Sequence, residues 1–228
     1  MQFSQQGARQ VFDNARRVVE AAGLNAGQAV LSQSYLRSES LINTATTSYH
    51  MPVLTNDNQN GANTSFNTSQ LLALQDAFVV SGIFIGFGNP SSNTDATFIP
   101  RTYPSPINTG SPAAALSMQT LYSGQLQLSV NNRNILTAFP ISSCLYVPQT
   151  QGLIAQAASP GPYNALDQND GFQSATVPIE PNVVLIGSKN NSLSIQLPAA
   201  IATAPTGTFG RLIIIFTGIL CQNVTPVR

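Results

Sequence analysis

The sequence predicts a mainly β protein, an antiparallel β-sandwich or jelly roll that follows an N-terminal helical arm. Short apolar runs with period-two alternation are separated by Pro, Gly, Asn and Ser, which is the pattern of strands and turns. Strand-like and helical segments do not alternate, so a parallel sheet of βαβ units is not expected. At 228 residues the chain is long enough for one large all-β domain.

The N-terminal segment is expected to be helical. Apolar residues recur at helical spacing over Gln5–Ala22, Ser4 is a candidate N-cap, and Gly23 is a candidate stop. A second short helix is expected around Ala26–Tyr35, where Gly27 lowers the helix propensity. This segment therefore predicts an arm that docks either on its own body or on a neighbour.

The chain is expected to have two parts, a helical arm over 1–40 and a single β-sandwich domain over 41–228. Two long connections rich in Pro, Ser, Asn and Thr interrupt the domain, at 88–120 and 149–178. Connections of this length within a compact domain are usually functional or interface elements. One jelly roll is favoured over two fused rolls, because strands average about 5–6 residues and also need connections.

About eight strands are expected in this domain. Gln125–Val130 alternates apolar with polar residues, and the turn at Asn131-Asn132 predicts a hairpin into Ile135-Leu136. The nearly continuous apolar run Arg211–Cys221 predicts a strand at the centre of a sheet. The other strand-like runs are Tyr49–Leu54, a pair within Leu71–Phe87 that divides near Gly82, Cys144–Val147, Val183–Ile186 and Leu193–Leu197.

The charge content is low and uneven. Nine basic and nine acidic residues make up 8% of the chain, and the formal net charge is zero, whereas soluble domains carry about 25% charged residues. Seven of these charges lie in the first 39 residues. Zero net charge argues against a nucleic-acid-binding surface, which needs a basic stripe. A neutral surface is poorly protected against self-association, so the composition favours a protein whose role is assembly.

The sequence offers little catalytic chemistry, and we predict that the protein is not an enzyme. His50 is the single histidine and the only candidate general base, and we interpret it as a packing or surface residue. Gly82, Gly86 and Gly88 do not have the spacing of a dinucleotide fingerprint and are interpreted as strand glycines beside a bulge or loop. No catalytic residue is therefore assigned.

No metal, cofactor or disulfide site is predicted either. Asp167 and Asp170 lie in a segment that faintly resembles a calcium loop but lacks its closing glutamate, so a turn is expected. Cys144 and Cys221 each lie in an apolar run and are expected to be buried free thiols.

Four features together resemble bacteriophage virion proteins of the jelly-roll kind. They are the charged N-terminal helical segment, the loop Ile99–Pro104, the run Leu121–Val130, and the closing pair Leu185–Gly187 and Leu193–Pro198. The resemblance implies a self-assembling coat (capsid) subunit, located in a virion that is assembled in the host cytoplasm. Its implied partners are copies of itself and other virion proteins.

A second function and two further kinds of contact, with nucleic acid and with a membrane, are considered beside the coat subunit. The alternative is a surface or spike module that binds a glycan or a receptor through the two long loops. Contact of Arg9, Arg16 and Arg17 with nucleic acid is not favoured, because Asp13 and Glu20 nearly cancel their charge. No membrane span is expected, since no run of about 18 apolar residues occurs, and the N-terminus has no secretory-signal pattern.

Overall fold

The computed structural model describes residues 5–52, 72–89, 100–104, 109–146, 175–204 and 210–226. Within these ranges most of the regular structure is β, as the sequence predicts. The elements in chain order are α1 (Gln5–Ala21), β1 (Leu24–Asn25), β2 (Val30–Leu41), β3 (Ser48–Pro52), β4 (Ala77–Gly88), α2 (Pro112–Tyr122), β5 (Gln125–Val130), β6 (Arg133–Pro140), a 3-10 turn (Ile141–Cys144), β7 (Val177–Ile186), β8 (Asn191–Gln196), β9 (Arg211–Gln222) and β10 (Thr225–Pro226).

Eight of the strands form two antiparallel four-stranded sheets. The first sheet has the order β2-β9-β4-β7 and the second has the order β3-β8-β5-β6. A short antiparallel pair, β1–β10, accompanies them. Alternate residues of both sheets face inward and share one hydrophobic core, which contains Phe78 and Phe216 of the first sheet and Leu126 and Leu193 of the second. This is the arrangement of a β-sandwich.

The first sheet is apolar on both faces, which explains the continuous apolar runs in its two central strands. In β9, Ile214 and Phe216 face the shared core, whereas Ile213 and Ile215 belong to a separate buried cluster on the outward face. β9 lies between β2 and β4, so the predicted central position of Arg211–Cys221 is confirmed. A strand that is covered on both sides has no reason to alternate polar with apolar residues.

Helix α1 covers part of the outward face of the first sheet. Ala15 and Val19 are buried in one cluster with Val79 of β4 and with Ile219 and Cys221 of β9. Residues three and four positions apart lie on the same side of a helix, so the apolar spacing over Gln5–Ala22 produces this contact. The helix therefore packs on its own chain.

β4 is one strand with a bulge, not the predicted pair. Its pairing with both neighbours shifts register between Val80 and Gly82. Phe78 and Val80 face the core before the bulge, and Ile83 faces it afterwards, because one extra residue exchanges the two faces of a strand. The interpretation of Gly82 as a strand glycine beside a bulge is confirmed. Gly218 of β9 lies opposite Val80, where an added Cβ would collide with the carbonyl of Val79.

The predicted second helix around Ala26–Tyr35 is wrong. Val30–Leu41 is the edge strand β2, and it pairs without interruption with β9 from Val30↔Gln222 to Leu41↔Arg211. Most of this segment alternates serine with larger side chains, which suits a strand that is covered on one side. The helical part therefore ends at Ala21, and the predicted arm over 1–40 includes a strand of the first sheet.

The first predicted loop contains a helix, and the second ends earlier than expected. Within 88–120, the segment from Pro112 onward forms α2, which is capped where Ser111 Oγ accepts a hydrogen bond from the Ala114 amide at 3.1 Å. At the second loop, β7 already begins at Val177. Residues 90–99, 105–108 and 149–174 of these predicted loops lie outside the described residues.

Two further predictions have opposite outcomes. The hairpin is confirmed, since Asn131 and Asn132 have φ angles of 50° and 60° and join β5 to β6, as the tight hairpin turn requires. The predicted strand from Cys144 is wrong, because Cys144 ends a 3-10 turn that follows β6. Ser4, Val53, Leu54, Leu71 and Val147, on which parts of the predictions depended, lie outside the described residues.

Candidate functional site: the outward face of the second sheet

The outward face of the second sheet is the candidate functional surface, and strand alternation creates it. In β5, Leu126 and Leu128 are fully buried, while Gln125 and Gln127 between them are not. β3 and β8 alternate in the same way, with buried apolar residues inward and polar residues outward. We call the outward set the neutral face; its members are Ser48 and His50 of β3, Ser192, Ser194 and Gln196 of β8, and Gln125, Gln127 and Ser129 of β5.

The strand register aligns these side chains in rows across the sheet. Ser48, Gln196 and Gln125 form the first row. His50, Ser194 and Gln127 form the second row. In the third row, Ser192 pairs with Ser129, which pairs with Asn134 of the edge strand β6. Directly opposed residues of neighbouring strands have Cβ atoms about 5 Å apart, so the rows make a continuous polar surface.

Hydrogen bonds connect part of this surface. Gln196 Nε2 donates to Ser48 Oγ at 2.8 Å, and Ser48 Oγ lies 3.3 Å from His50 Nε2. The first bond joins β8 to β3 across the sheet, and the second joins two residues of β3 on one face. The amide and hydroxyl groups of the neutral face carry both donors and acceptors, so they can also bind an external partner.

The eight positions of the neutral face hold no Asp, Glu, Lys or Arg. Serine and glutamine account for seven of the eight residues. A surface of this kind hydrogen-bonds to a neighbour without the large desolvation cost of burying charges. It also offers no counter-charge to an ionic ligand.

His50 was the only candidate base in the sequence, and the structure places it on the neutral face. It is exposed, and Ser48 is its hydrogen-bonding neighbour. A serine–histidine pair acts as a nucleophile only when a third group orients the histidine and donors stabilise the oxyanion. Its register partner on β8 is Ser194, whose hydroxyl is a weak substitute for a carboxylate. The pair is therefore better explained as part of the polar surface.

The charged residues of β2 form a cluster that sequence reasoning missed. Arg211 of β9 is 1% exposed, and its Nη1 lies 3.2 Å from Glu39 Oε2. Arg37 also forms an ion pair with Glu39. The sequence predicts that Arg37 and Glu39 belong to a helical arm. The pairing of β2 with β9 instead brings them beside Arg211, which lies 172 positions after Glu39 in the chain. Only this non-local pairing could have revealed the cluster.

The cluster has a structural role. Glu39 pairs with Ile213 and Arg37 pairs with Ile215, so the ions border the outward apolar cluster of the first sheet. A buried ion pair is costly to break by removing one partner, because the remaining charge stays desolvated. The cluster fixes β2 against β9 at the edge of the first sheet.

Cys144 and Cys221 are buried free thiols, as predicted. Burial raises the pKa of each thiol to about 11. A thiol in this state is a poor nucleophile near neutral pH, because the thiolate is the reactive form. Asp167 and Asp170, the faint calcium-loop residues, lie outside the described residues.

The described part of the chain contains neither a metal-binding cluster nor a membrane-spanning helix. Among these residues, no group of three or more His, Cys, Asp or Glu side chains could hold a metal ion. None of the helices described here is both long enough and apolar enough to cross a membrane.

Comparisons of the chain with protein-family models, with curated proteins and with solved structures find no match.

Proposed function

We propose that this chain is a self-assembling coat (capsid) subunit of a bacteriophage virion, with a single jelly-roll domain as its body. Its partners are copies of itself and other virion proteins. No catalytic step and no cofactor belong to this function. The observation that carries the proposal is the neutral face, a bare sheet surface without formal charge in a chain with only 18 charged residues.

Strand pairing supports the jelly-roll part. Along the eight strands β2 to β9, the first pairs with the last, the second with the seventh, the third with the sixth, and the fourth with the fifth. Successive pairs alternate between the two sheets. A long antiparallel hairpin that is rolled up in this way is a jelly roll, a fold found in viral capsid and lectin domains. The fold alone does not decide between those functions.

The surface chemistry favours the coat over the glycan- or receptor-binding module. Sugar recognition commonly uses an aromatic platform, since aromatic rings supply large contact area with a polar tip. The neutral face has no aromatic residue except the imidazole of His50. Uncharged amides and hydroxyls suit subunit contacts, where charged residues are depleted at the buried centre.

The N-terminal helix supports a structural role for the arm. Helix α1 covers its own first sheet, while Arg9, Asp13, Arg16, Arg17 and Glu20 remain exposed. Basic and acidic side chains alternate there, which favours a solvated helix face over binding to nucleic acid. We therefore assign α1 the role of covering the first sheet of its own subunit, without contact with packaged nucleic acid.

Electron microscopy of the purified chain tests the proposal. The chain is expressed alone, purified, and imaged over a range of protein concentrations. Closed shells, or regular oligomers with one repeating contact, are expected. A strictly monomeric protein at every concentration, which also fails to join virions when other virion proteins are supplied, would contradict the proposal.

A further inference from the structure

We propose that the neutral face takes the neutral face of a second copy of this chain, with the two copies related by a twofold axis. The inference rests on the proposed coat function and names one of its subunit contacts. Three features of the described structure carry it: the chemical self-complementarity of the face, its extent across the sheet, and the different state of the first sheet.

The chemistry of the face matches a copy of itself. A serine hydroxyl donates one hydrogen bond and accepts others, and a glutamine amide has two donor hydrogens and an acceptor oxygen. Two copies of such a face can therefore satisfy each other in many registers. Like-charge repulsion, which would oppose the contact of two charged copies, does not arise between the uncharged residues. A strongly charged partner would find no ion pair on this surface.

The extent of the face sets the size of a contact between two copies. Three rows of outward side chains span five register positions, from Ser48 to Pro52 along β3. With strands about 4.8 Å apart and about 3.3 Å per residue, the three strands of the neutral face cover a patch of roughly 240 Å². Standard interfaces bury about 800 Å² per partner, so this contact is small. It contributes to a stable assembly when each subunit makes further contacts at the same time.

The first sheet does not offer an equivalent surface. Its outward face is already occupied, because α1 covers Val79, Ile219 and Cys221 and a second buried cluster contains Phe84 and Ile213. The second sheet has the only outward sheet face that is bare in the described structure, and a face-to-face contact between copies must use it.

Ser194 is the best position at which to test the contact. It lies in the middle row of the face, between His50 on β3 and Gln127 on β5, and it is half-buried. A charge at this position lies at the centre of the patch. In a twofold contact, identical charges on the two copies approach each other, whereas opposite charges on two variants attract.

The experiment uses charge-swap variants of the full chain. Ser194→Arg and Ser194→Glu are prepared separately, and association is measured by sedimentation velocity for each variant and for their equimolar mixture. Gln10→Arg and Gln10→Glu are the matched controls, because Gln10 is exposed on α1, which packs on the other sheet. Circular dichroism melting verifies that each variant is folded, and Gln127→Arg with Gln127→Glu replaces the pair if either Ser194 variant does not fold.

Each Ser194 variant alone is expected to need at least about tenfold more protein for half-association than the unmodified chain. The mixture is expected to return to within about threefold of the unmodified chain, and the Gln10 pair to remain within about twofold throughout. If the unmodified chain associates and the Ser194 variants associate equally well, or their mixture gains nothing, the face-to-face contact is refuted while the coat function stands. If the unmodified chain does not associate at all, both proposals fail.

Discussion

The two sheets of this molecule differ in what lies on their outward faces. In the first sheet, both faces of β4 and β9 are buried, one against the shared core and one under α1 and a second apolar cluster. In the second sheet, only the inward face is buried, and the outward face presents serine and glutamine to solvent. Charge is scarce along β4 and β9 because both faces of these strands are buried, and the one charge in them, Arg211, is paired with Glu39 of β2. It is scarce in the second sheet although the surface is exposed.

This difference shows where in the structure the low charge content is unusual. Burial explains the apolar run of β9 and pairing with Glu39 explains its one charge, Arg211, so the composition of β9 needs no functional explanation. An exposed sheet face normally mixes charged with polar residues to remain soluble. The neutral face does not, and it is the part of the composition that burial cannot explain. Contact with another copy would explain it.

The largest effect is expected from truncating the core of the first sheet. Phe216→Ala removes a side chain that is 1% exposed and should lower the free energy of unfolding by about 3–5 kcal/mol. Ser194→Ala on the neutral face is the matched comparison and should change it by less than about 0.5 kcal/mol. Chemical denaturation monitored by circular dichroism measures both. Equal losses would show that the two faces do not differ in burial.

A smaller loss of stability is expected beside the bulge of β4, where Gly218 of β9 lies opposite Val80. Gly218→Ala places a Cβ against the carbonyl of Val79, and the strand must shift, at a cost of roughly 1–3 kcal/mol. Gly27→Ala is the control, because its Cβ would meet only the side-chain oxygen of Asn25. Thermal melting of the two variants compares them, and a Gly218→Ala variant as stable as the control would contradict the close approach of the strands.

The cover that α1 gives to the first sheet should be worth less than the core. Val19→Ala removes two methyl groups from a fully buried side chain, which costs about 1–2 kcal/mol. Val11→Ala on the same helix is the control, since Val11 is 45% exposed. Urea denaturation should separate the two variants. If Val19→Ala is as mild as Val11→Ala, the helix does not pack on the sheet as described.

The two buried thiols predict a loss of stability in alkaline solution. Burial raises the pKa of Cys144 and Cys221 to about 11, whereas an unfolded thiol ionises near pH 8.5. The unfolded state therefore releases protons first, and the free energy of unfolding falls as pH rises through roughly 9 to 11. The melting temperature of the unmodified chain should fall between pH 9 and 11. The decline should be shallower in the double variant Cys144→Ala/Cys221→Ala, and equal slopes would contradict the prediction.

Local patterns in the sequence were enough to predict some elements and not others. The hairpin at Asn131-Asn132 and the central strand Arg211–Gln222 depend on turn chemistry and on one continuous apolar run, both visible locally. The predicted helix around Ala26–Tyr35 is wrong because the strand Val30–Leu41 pairs with residues of β9 that are 170 to 192 positions away, beyond any local pattern. A bulge after Val80 likewise becomes visible only when the partner strand is known.

The candidate site was even less accessible from sequence. The alternation in Gln125–Val130 and Leu193–Leu197 predicts that each strand has a polar side. It does not reveal that Ser194 lies between His50 and Gln127, because the register between distant strands is set by the whole fold. The neutral face therefore emerged only when three separated segments were aligned in one sheet.

The most direct test of the account is the mass distribution of the unmodified chain as a function of protein and salt concentration. Sedimentation velocity measures it on the 24.1 kDa chain. We expect species larger than the monomer, whose mass grows with protein concentration and which persist in about 1 M salt. Salt screening weakens contacts between charges and not those between neutral groups. A monomer under all conditions, or an assembly that dissociates as salt rises, would contradict the claim that neutral surfaces hold the copies together.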